Sequence, residues 1–376
     1  MIQYGRQSID DSDVEAVVSA LRSDWLTTGP AVDRFEADVS RIAGAMLPAV
    51  AVTSGTAALH TAYRAARVGP GTEVVTTPLT FAATAATAAL LGATVRFADV
   101  DEKTGNLDPD AAAAAVTRRT AVIAGVDYAG VPVDASRLSA VARSADAVFL
   151  EDAAHSIGSF LNGVPVGSLA DITTFSFFPT KNATTAEGGA VVTSDSGLWD
   201  RARAFRNHGL VREAERQRHP DEGPWHQEVA DFGLNYRMPD VLAALGSSQL
   251  LRLTLFKSRR AAIFDRYRAG LSGIDGLSLP SAPSGADPMW HLYAVRVPAE
   301  ERRRLFETLR ADGIGVQVNY IPVYWHPAFE DLGYRRGLCP VAEEWYRREI
   351  SLPMHAGLSD SEVDLVIERV RKAFGS

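Results

Sequence analysis

Between residues 50 and 195, short β-rich runs alternate with alanine-rich helical stretches, and this alternation constrains the fold more than any other feature. The runs cover 50–53, 73–77, 94–99, 120–126, 147–151, 172–177 and 189–193. Most lack period-2 alternation and read as strands buried on both faces. That predicts a three-layer α/β domain with a mostly parallel seven-stranded sheet. After residue 240 the pattern changes. A long helix over 240–271, a strand over 289–297, a helix over 300–311, a strand over 315–319 and a helix over 359–373 predict a smaller C-terminal α/β lobe. The expected division is 1–245 for an N-terminal segment plus large lobe, and 246–376 for the small lobe. Near the start, Val14, Val17, Val18 and Leu21 follow the spacing of an amphipathic helix. Asp10 or Ser12 would cap it, and residues 25–30 would end it.

A chain of 376 residues, 46% of them hydrophobic, can fill two packed lobes. Its 38 Lys and Arg against 46 Asp and Glu give a net charge of −8. With no basic run, the chain is a poor match for nucleic acid. The single cysteine, Cys339, allows neither an internal disulfide nor a metal cluster around it. Residues 1–7 form no apolar leader, and no run of about eighteen apolar residues occurs. The expectation is a soluble, cytoplasmic protein with no bound metal and no membrane partner.

Open α/β sheets bind ligands at the carboxyl ends of their strands. Asp152 lies at such an end, in Glu151-Asp152-Ala153-Ala154-His155. Lys181 follows Phe175-Ser176-Phe177-Phe178-Pro179-Thr180, with Glu187-Gly188-Gly189 close behind. Thr53-Ser54-Gly55-Thr56 ends one strand and opens a helix, an anion site by geometry and dipole. Spaced dinucleotide glycines and a P-loop lysine are missing there, so the phosphate belongs to a small cofactor. Each part has an ordinary reading when taken singly. Lys181 reads as a solvated charge, Asp152 as a helix N-cap, the tetrapeptide as capping chemistry, Phe81 as core packing and His155 as a structural histidine. Together they offer an amine, a carboxylate and a phosphate cradle. Pyridoxal 5'-phosphate (PLP) needs those three groups: a Schiff-base partner, an acid for its ring nitrogen and an anion site.

With Asn235-Tyr236-Arg237 added, the motifs in this order resemble the DegT/DnrJ/EryC1/StrS sugar aminotransferases, PLP enzymes of fold type I. The likeness runs from about residue 2 to about residue 372 and includes Trp290-His291-Leu292-Tyr293 and Asn319-Tyr320-Ile321-Pro322. The resemblance implies that Lys181 bonds the cofactor aldehyde, Asp152 pairs with the ring nitrogen, His155 approaches the phenolic oxygen and Phe81 stacks on the ring. It gives the phosphate to Ser54, Gly55, Thr56 and Ser176, with Asn235 entering from the partner subunit of a homodimer. Tyr4, Leu26, Thr27, Thr28, Gly29, Asn319, Tyr320, Ile321 and Pro322 would line the sugar side. The implied substrates are L-glutamate and a keto sugar nucleotide, a UDP-linked N-acetylhexos-4-ulose, with pyridoxamine 5'-phosphate formed in turnover. Three positions depart from the family pattern: Phe178 and Asn319 stand where histidine is usual, and Ala186 where glycine is. Family relatives that dehydrate sugars replace the lysine by histidine, so Lys181 argues against that chemistry. A non-catalytic PLP-binding regulator would need a basic DNA-binding domain, which is not seen. Amination of a cyclitol, or of a 3-keto or dTDP-linked sugar, stays open on sequence alone.

Overall fold

A computed structural model describes residues 1–375. Seven strands form the main sheet: β1 (Val50–Val52), β2 (Glu73–Thr76), β3 (Thr94–Phe97), β4 (Thr120–Val126), β5 (Val148–Asp152), β6 (Ile172–Ser176) and β7 (Gly189–Val192). Their order is β1-β7-β6-β5-β4-β2-β3. Only β7 runs antiparallel to its neighbours β1 and β6; the remaining pairs are parallel. The helices of this region are α1 (Asp11–Leu21), α2 (Pro30–Ala43), α3 (Gly55–Ala65), α4 (Ala83–Leu90), α5 (Pro109–Ala115), α6 (Ala135–Ser144), α7 (Ser196–Arg206) and α8 (Asp240–Leu251).

Successive strand residues enter different cores, which is why alternation is absent from the sequence. Val50, Val52, Val74, Val122, Leu150 and Val191 pack on α3, α4 and α7. On the opposite face Val75, Ile123 and Phe149 pack on α5 and α6, and Ala51, Ala190 and Val192 pack on α2 and α8. The three-layer α/β expectation therefore holds. Gly189 sits where β7 passes the start of α3, and a Cβ there would lie 2.3 Å from the Ser54 carbonyl oxygen. That close approach accounts for glycine in the Glu187-Gly188-Gly189 run.

The second lobe is built on α9 (Leu253–Leu271), β8 (Tyr293–Arg296), α10 (Arg302–Ala311), α11 (Pro340–Arg348), β9 (Glu349–Leu352) and α12 (Asp360–Ala373). β8 and β9 pair antiparallel. Its own core gathers Phe264, Tyr267, Tyr293, Leu305, Ile350 and Val366. Among the described residues, no helix is long and apolar enough to cross a membrane.

Several expectations need correction. The helix expected over 240–271 is two helices, broken at Arg252, whose side chain turns back to Asp10, Asp13 and the Ser8 carbonyl. The expected strand over 289–297 shrinks to Tyr293–Arg296. No strand forms over 315–319. There Gly315 N–H donates to the Ile2 carbonyl at 2.8 Å, and Gln317 exchanges two backbone bonds with Ser351 as an isolated bridge, so the pairing is split between two partners and no ladder extends. In α1 the cap is Asp10, not Ser12, and Asp10 and Asp13 form a reciprocal capping box. Val14 and Leu21 stay exposed, while Asp13 and Ala20 face inward. Asp13 is held there by Arg252 and by Gln249 Nε2 at 2.6 Å, which fixes the rotation of the helix.

Candidate active site

Asp152 is the last residue of β5 and is buried. Its Oδ2 accepts the Thr84 hydroxyl at 2.6 Å and its Oδ1 accepts the Ala154 N–H at 3.2 Å. Thr84 lies at the start of α4, where Tyr63 donates its hydroxyl to the Thr84 carbonyl at 2.8 Å. Burial raises the Asp152 carboxyl, while the Thr84 hydroxyl, the Ala154 N–H and the charge of Lys181 pull it down.

Lys181 follows β6 in a tight turn. Its N–H donates to the Phe178 carbonyl at 2.8 Å, and Thr185 N–H returns to the Phe177 carbonyl at 2.9 Å. The next residue, Asn182, donates its side-chain amide to the His155 carbonyl at 2.6 Å and so ties the turn to the end of β5. The lysine keeps some exposure. Even so, burial lowers its amine to about 8 against the opposing pull of Asp152. Amine and carboxylate thus share one site at the carboxyl edge of the sheet.

The remaining groups close around this pair. His155 is buried, and desolvation holds it well below its ordinary range, helped by Lys181. The ring of His291 lies 4.2 Å from its ring, centroid to centroid. His155 Nε2 meets the Tyr320 hydroxyl at 3.2 Å. Phe81 is 62% exposed, which rules out a core role, and its ring meets Tyr320 edge-on at 6.3 Å. Asn319 Nδ2 donates to the Tyr4 hydroxyl at 2.6 Å. Val323 N–H donates to the Pro78 carbonyl, which anchors the Tyr320-Ile321-Pro322 segment to the end of β2.

The start of α3 lies against β6. Ser54 caps the helix by accepting the Ala57 N–H at 3.1 Å. A Cβ on Gly55 would lie 2.8 Å from Ser176 Oγ, so glycine brings the helix start up to that hydroxyl. These features fit PLP. The helix start and Ser176 form a cradle that a side chain on Gly55 would fill. His155 Nδ1 is buried with no hydrogen-bond partner among the described residues. The donor set supplies an amine and a carboxylate as well as an anion site.

A second group of expected residues stands apart. Thr27, Thr28 and Gly29 line a cleft of about 720 Å³ with Arg206, Asn207 and Arg237. This segment is pinned to α8: Asp240 N–H donates to the Leu26 carbonyl, and Asp240 Oδ2 accepts the Gly29 N–H at 2.9 Å. Asn235 is exposed and pairs by backbone with Asn207. Sequence reasoning missed Thr84, Asn182 and His291. Asn182, directly after Lys181, and His291 fell within segments already singled out but were given no role, and no residue spacing pointed to Thr84.

A family model described as the DegT/DnrJ/EryC1/StrS aminotransferase family matches residues 7–371. Spore coat polysaccharide biosynthesis protein SpsC of Bacillus subtilis is 39% identical over 98% of this chain and 96% of that protein. The UDP-4-amino-4,6-dideoxy-N-acetyl-β-L-altrosamine transaminase of Campylobacter jejuni is 34% identical, covering 100% of both chains. Among solved structures, Spr1654 from Streptococcus pneumoniae in its PMP form superposes with a TM-score of 0.93 at 32% identity, over 100% of this chain and 99% of that one. The PLP form of Spr1654 gives 0.92 at 31%. Helicobacter pylori PseC, an aminotransferase involved in the biosynthesis of pseudoaminic acid, gives 0.92 at 31%, over 100% and 99%. Fold and site thus define a PLP-dependent transaminase of fold type I. The chain belongs to the DegT/DnrJ/EryC1/StrS aminotransferase family of sugar aminotransferases.

Proposed function

We propose that the protein transfers the amino group of L-glutamate to a 4-keto-6-deoxy nucleotide sugar, a UDP-linked N-acetylhexos-4-ulose, and releases a 4-amino sugar nucleotide. The observation that carries this reading is the Lys181–Asp152 pair at the carboxyl edge of the sheet. It is supported by end-to-end likeness to a protein named as a UDP-amino-sugar transaminase. PseC adds a link to pseudaminic acid synthesis, which we take as the kind of pathway served, in the cytoplasm.

Bound PLP would supply a carbonyl that takes up an amino group and a ring that accepts electrons. Lys181 Nζ would hold that carbonyl and, as a free amine close to the substrate, would take up and return the proton. Its lowered basicity leaves a usable neutral fraction near neutral pH. Asp152 holds the proton of the ring nitrogen and is oriented by the Thr84 hydroxyl. His155, kept neutral by burial, can accept the Tyr320 hydroxyl at Nε2, which leaves an N–H at Nδ1 for the phenolic oxygen. Phe81 would lie against the ring, and Gly55, Thr56 and Ser176 would hold the phosphate, with Ser54 shaping the turn.

We also infer a homodimer with shared sites. Among the described residues, Leu26, Thr27, Thr28, Gly29 and Asn235 make no hydrogen bond or ring contact with the Lys181 group of their own chain, a placement suited to serving a second copy. An apolar groove of about 360 Å³, lined by Ile9, Val14, Val17, Val18, Pro179 and Leu245, offers that copy a surface continuous with the lysine turn.

The test is incubation with glutamate and a panel of keto acceptors: UDP- and dTDP-linked, 4-keto and 3-keto, and a keto-cyclitol. Products are identified by mass and NMR. A 4-amino UDP-N-acetyl sugar is expected. Amination only of dTDP-linked, 3-keto or cyclitol acceptors would favour the second reading, a different keto acceptor. The higher identity to SpsC keeps that reading in view.

A further inference from the structure

Behind the residues assigned to the sugar side lies a carboxyl group that the proposed reaction does not use. Glu349, the first residue of β9, is wholly buried. Its Oε2 accepts the backbone N–H of Asn319 at 2.7 Å, and its Oε1 accepts the Ser351 hydroxyl. Asn319 Nδ2 donates to Ser351 Oγ at 3.0 Å and to the Tyr4 hydroxyl at 2.6 Å. The Tyr128 hydroxyl donates to the Asn319 carbonyl at 2.6 Å, so residue 319 is gripped from the strand, the N-terminus and the end of β4.

The polarity of this chain follows from counting hydrogens. Burial raises the Glu349 carboxyl to about 8; once it is ionised, the one hydrogen of Ser351 goes to it. Ser351 must then accept from Asn319, which turns the amide nitrogen, not its oxygen, toward Ser351 and Tyr4. Tyr4 receives a hydrogen bond, so its own O–H is left to be donated. Asn319 Oδ1 is left as an acceptor. A neutral histidine in place of Asn319 would carry one N–H and could not serve both Ser351 and Tyr4.

We propose that Glu349 is a positioning residue for substrate selection. Through Ser351 and Asn319 it presents the Tyr4 hydroxyl as a donor and Asn319 Oδ1 as an acceptor toward the sugar. That donor–acceptor pair matches an acylamino substituent, whose carbonyl accepts and whose N–H donates, better than a plain hydroxyl. The inference rests on the reading above that Tyr4 and Asn319 face the sugar.

The experiment uses the holoenzyme at about pH 9, where Glu349 is ionised, with two UDP-linked 4-keto-6-deoxyhexoses, one bearing a 2-acetamido group and one a 2-hydroxyl. The wild type is expected to prefer the acetamido sugar. Glu349→Gln and Ser351→Ala should each raise KM for that sugar by about tenfold, the worth of one neutral hydrogen bond. Neither should change the KM for the 2-hydroxy sugar, or the rate at which glutamate alone converts the bound cofactor. In a Tyr4→Phe background the Glu349→Gln effect should shrink, because the Tyr4 hydroxyl is one of the two groups that the relay orients. Additive effects, or equal losses with both sugars, would overturn the relay. If Glu349→Gln does not fold, Ser351→Ala carries the same comparison without altering the buried carboxyl. A wild type that aminates neither these sugars nor any of the panel would instead defeat the functional reading, and the relay with it.

Discussion

Lys181 and Ala186 show how much single side chains decide in this protein. Attack on an aldehyde needs a neutral amine, and burial brings Lys181 to about 8. Lowering this value means that the neutral fraction grows as pH rises and is nearly complete about one unit above it. Loading of PLP onto cofactor-free protein should therefore speed up from pH 7, with a midpoint near 8, then level off. A continued rise toward the ordinary lysine value of about 10.4 would contradict the desolvated site. Lys181→Ala should lose the lysine-bound cofactor absorption band and all turnover. Ala186 takes φ +66°, the left-handed region that glycine occupies freely. Ala186→Gly should stabilise the fold by about 1 kcal/mol, read from urea unfolding.

The break between α8 and α9 matters most among the elements. Composition offered one continuous helical stretch over 240–271, rich in Leu, Ala and Arg. The chain instead turns at Arg252, so that α8 packs on α1 and α2 while α9 packs on α12. We propose that the two lobes meet at this break, a little beyond the division at 245/246 drawn from sequence. The guanidinium of Arg252 pairs with Asp10 and with the fully buried Asp13. Arg252→Ala would leave the Asp13 carboxylate with only Gln249 as a side-chain partner outside its own helix. A loss of about 3 kcal/mol is expected, measured by denaturant unfolding. A loss below about 0.5 kcal/mol would show that the pair does not fix α1.

At the scale of the whole molecule, the expected site residues include two groups that no hydrogen bond or ring contact joins among the described residues. Lys181, Asp152, His155, Phe81, Tyr4, Asn319 and Tyr320 gather at the sheet edge. Leu26 to Gly29 and Asn235 lie beside Arg237 and Asn207. A shared-site homodimer makes a sharp prediction. Lys181→Ala and Asn235→Ala proteins, each weak or inactive alone, should regain about a quarter of wild-type turnover when unfolded together and refolded. Half of the reassorted dimers are mixed, and each mixed dimer holds one intact site. No gain on mixing, together with a monomeric mass in light scattering, would reject the shared site.

The cofactor chemistry and the layered fold were legible in the sequence, for a local reason. Strand ends and helix starts are set by neighbouring residues, so Asp152, Lys181 and Ser54-Gly55-Thr56 could be placed at one sheet edge before any coordinates existed. Most of the seven strands likewise announced burial on both faces by lacking period-2 alternation, although the edge strand β3 is only partly buried. What depended on distant partners was invisible. The rotation of α1 follows from Arg252, the orientation of Asp152 from Thr84, and the polarity of Tyr4 from Glu349. Each pairing joins residues far apart in the chain, and only the tertiary structure decides which buried polar groups satisfy one another.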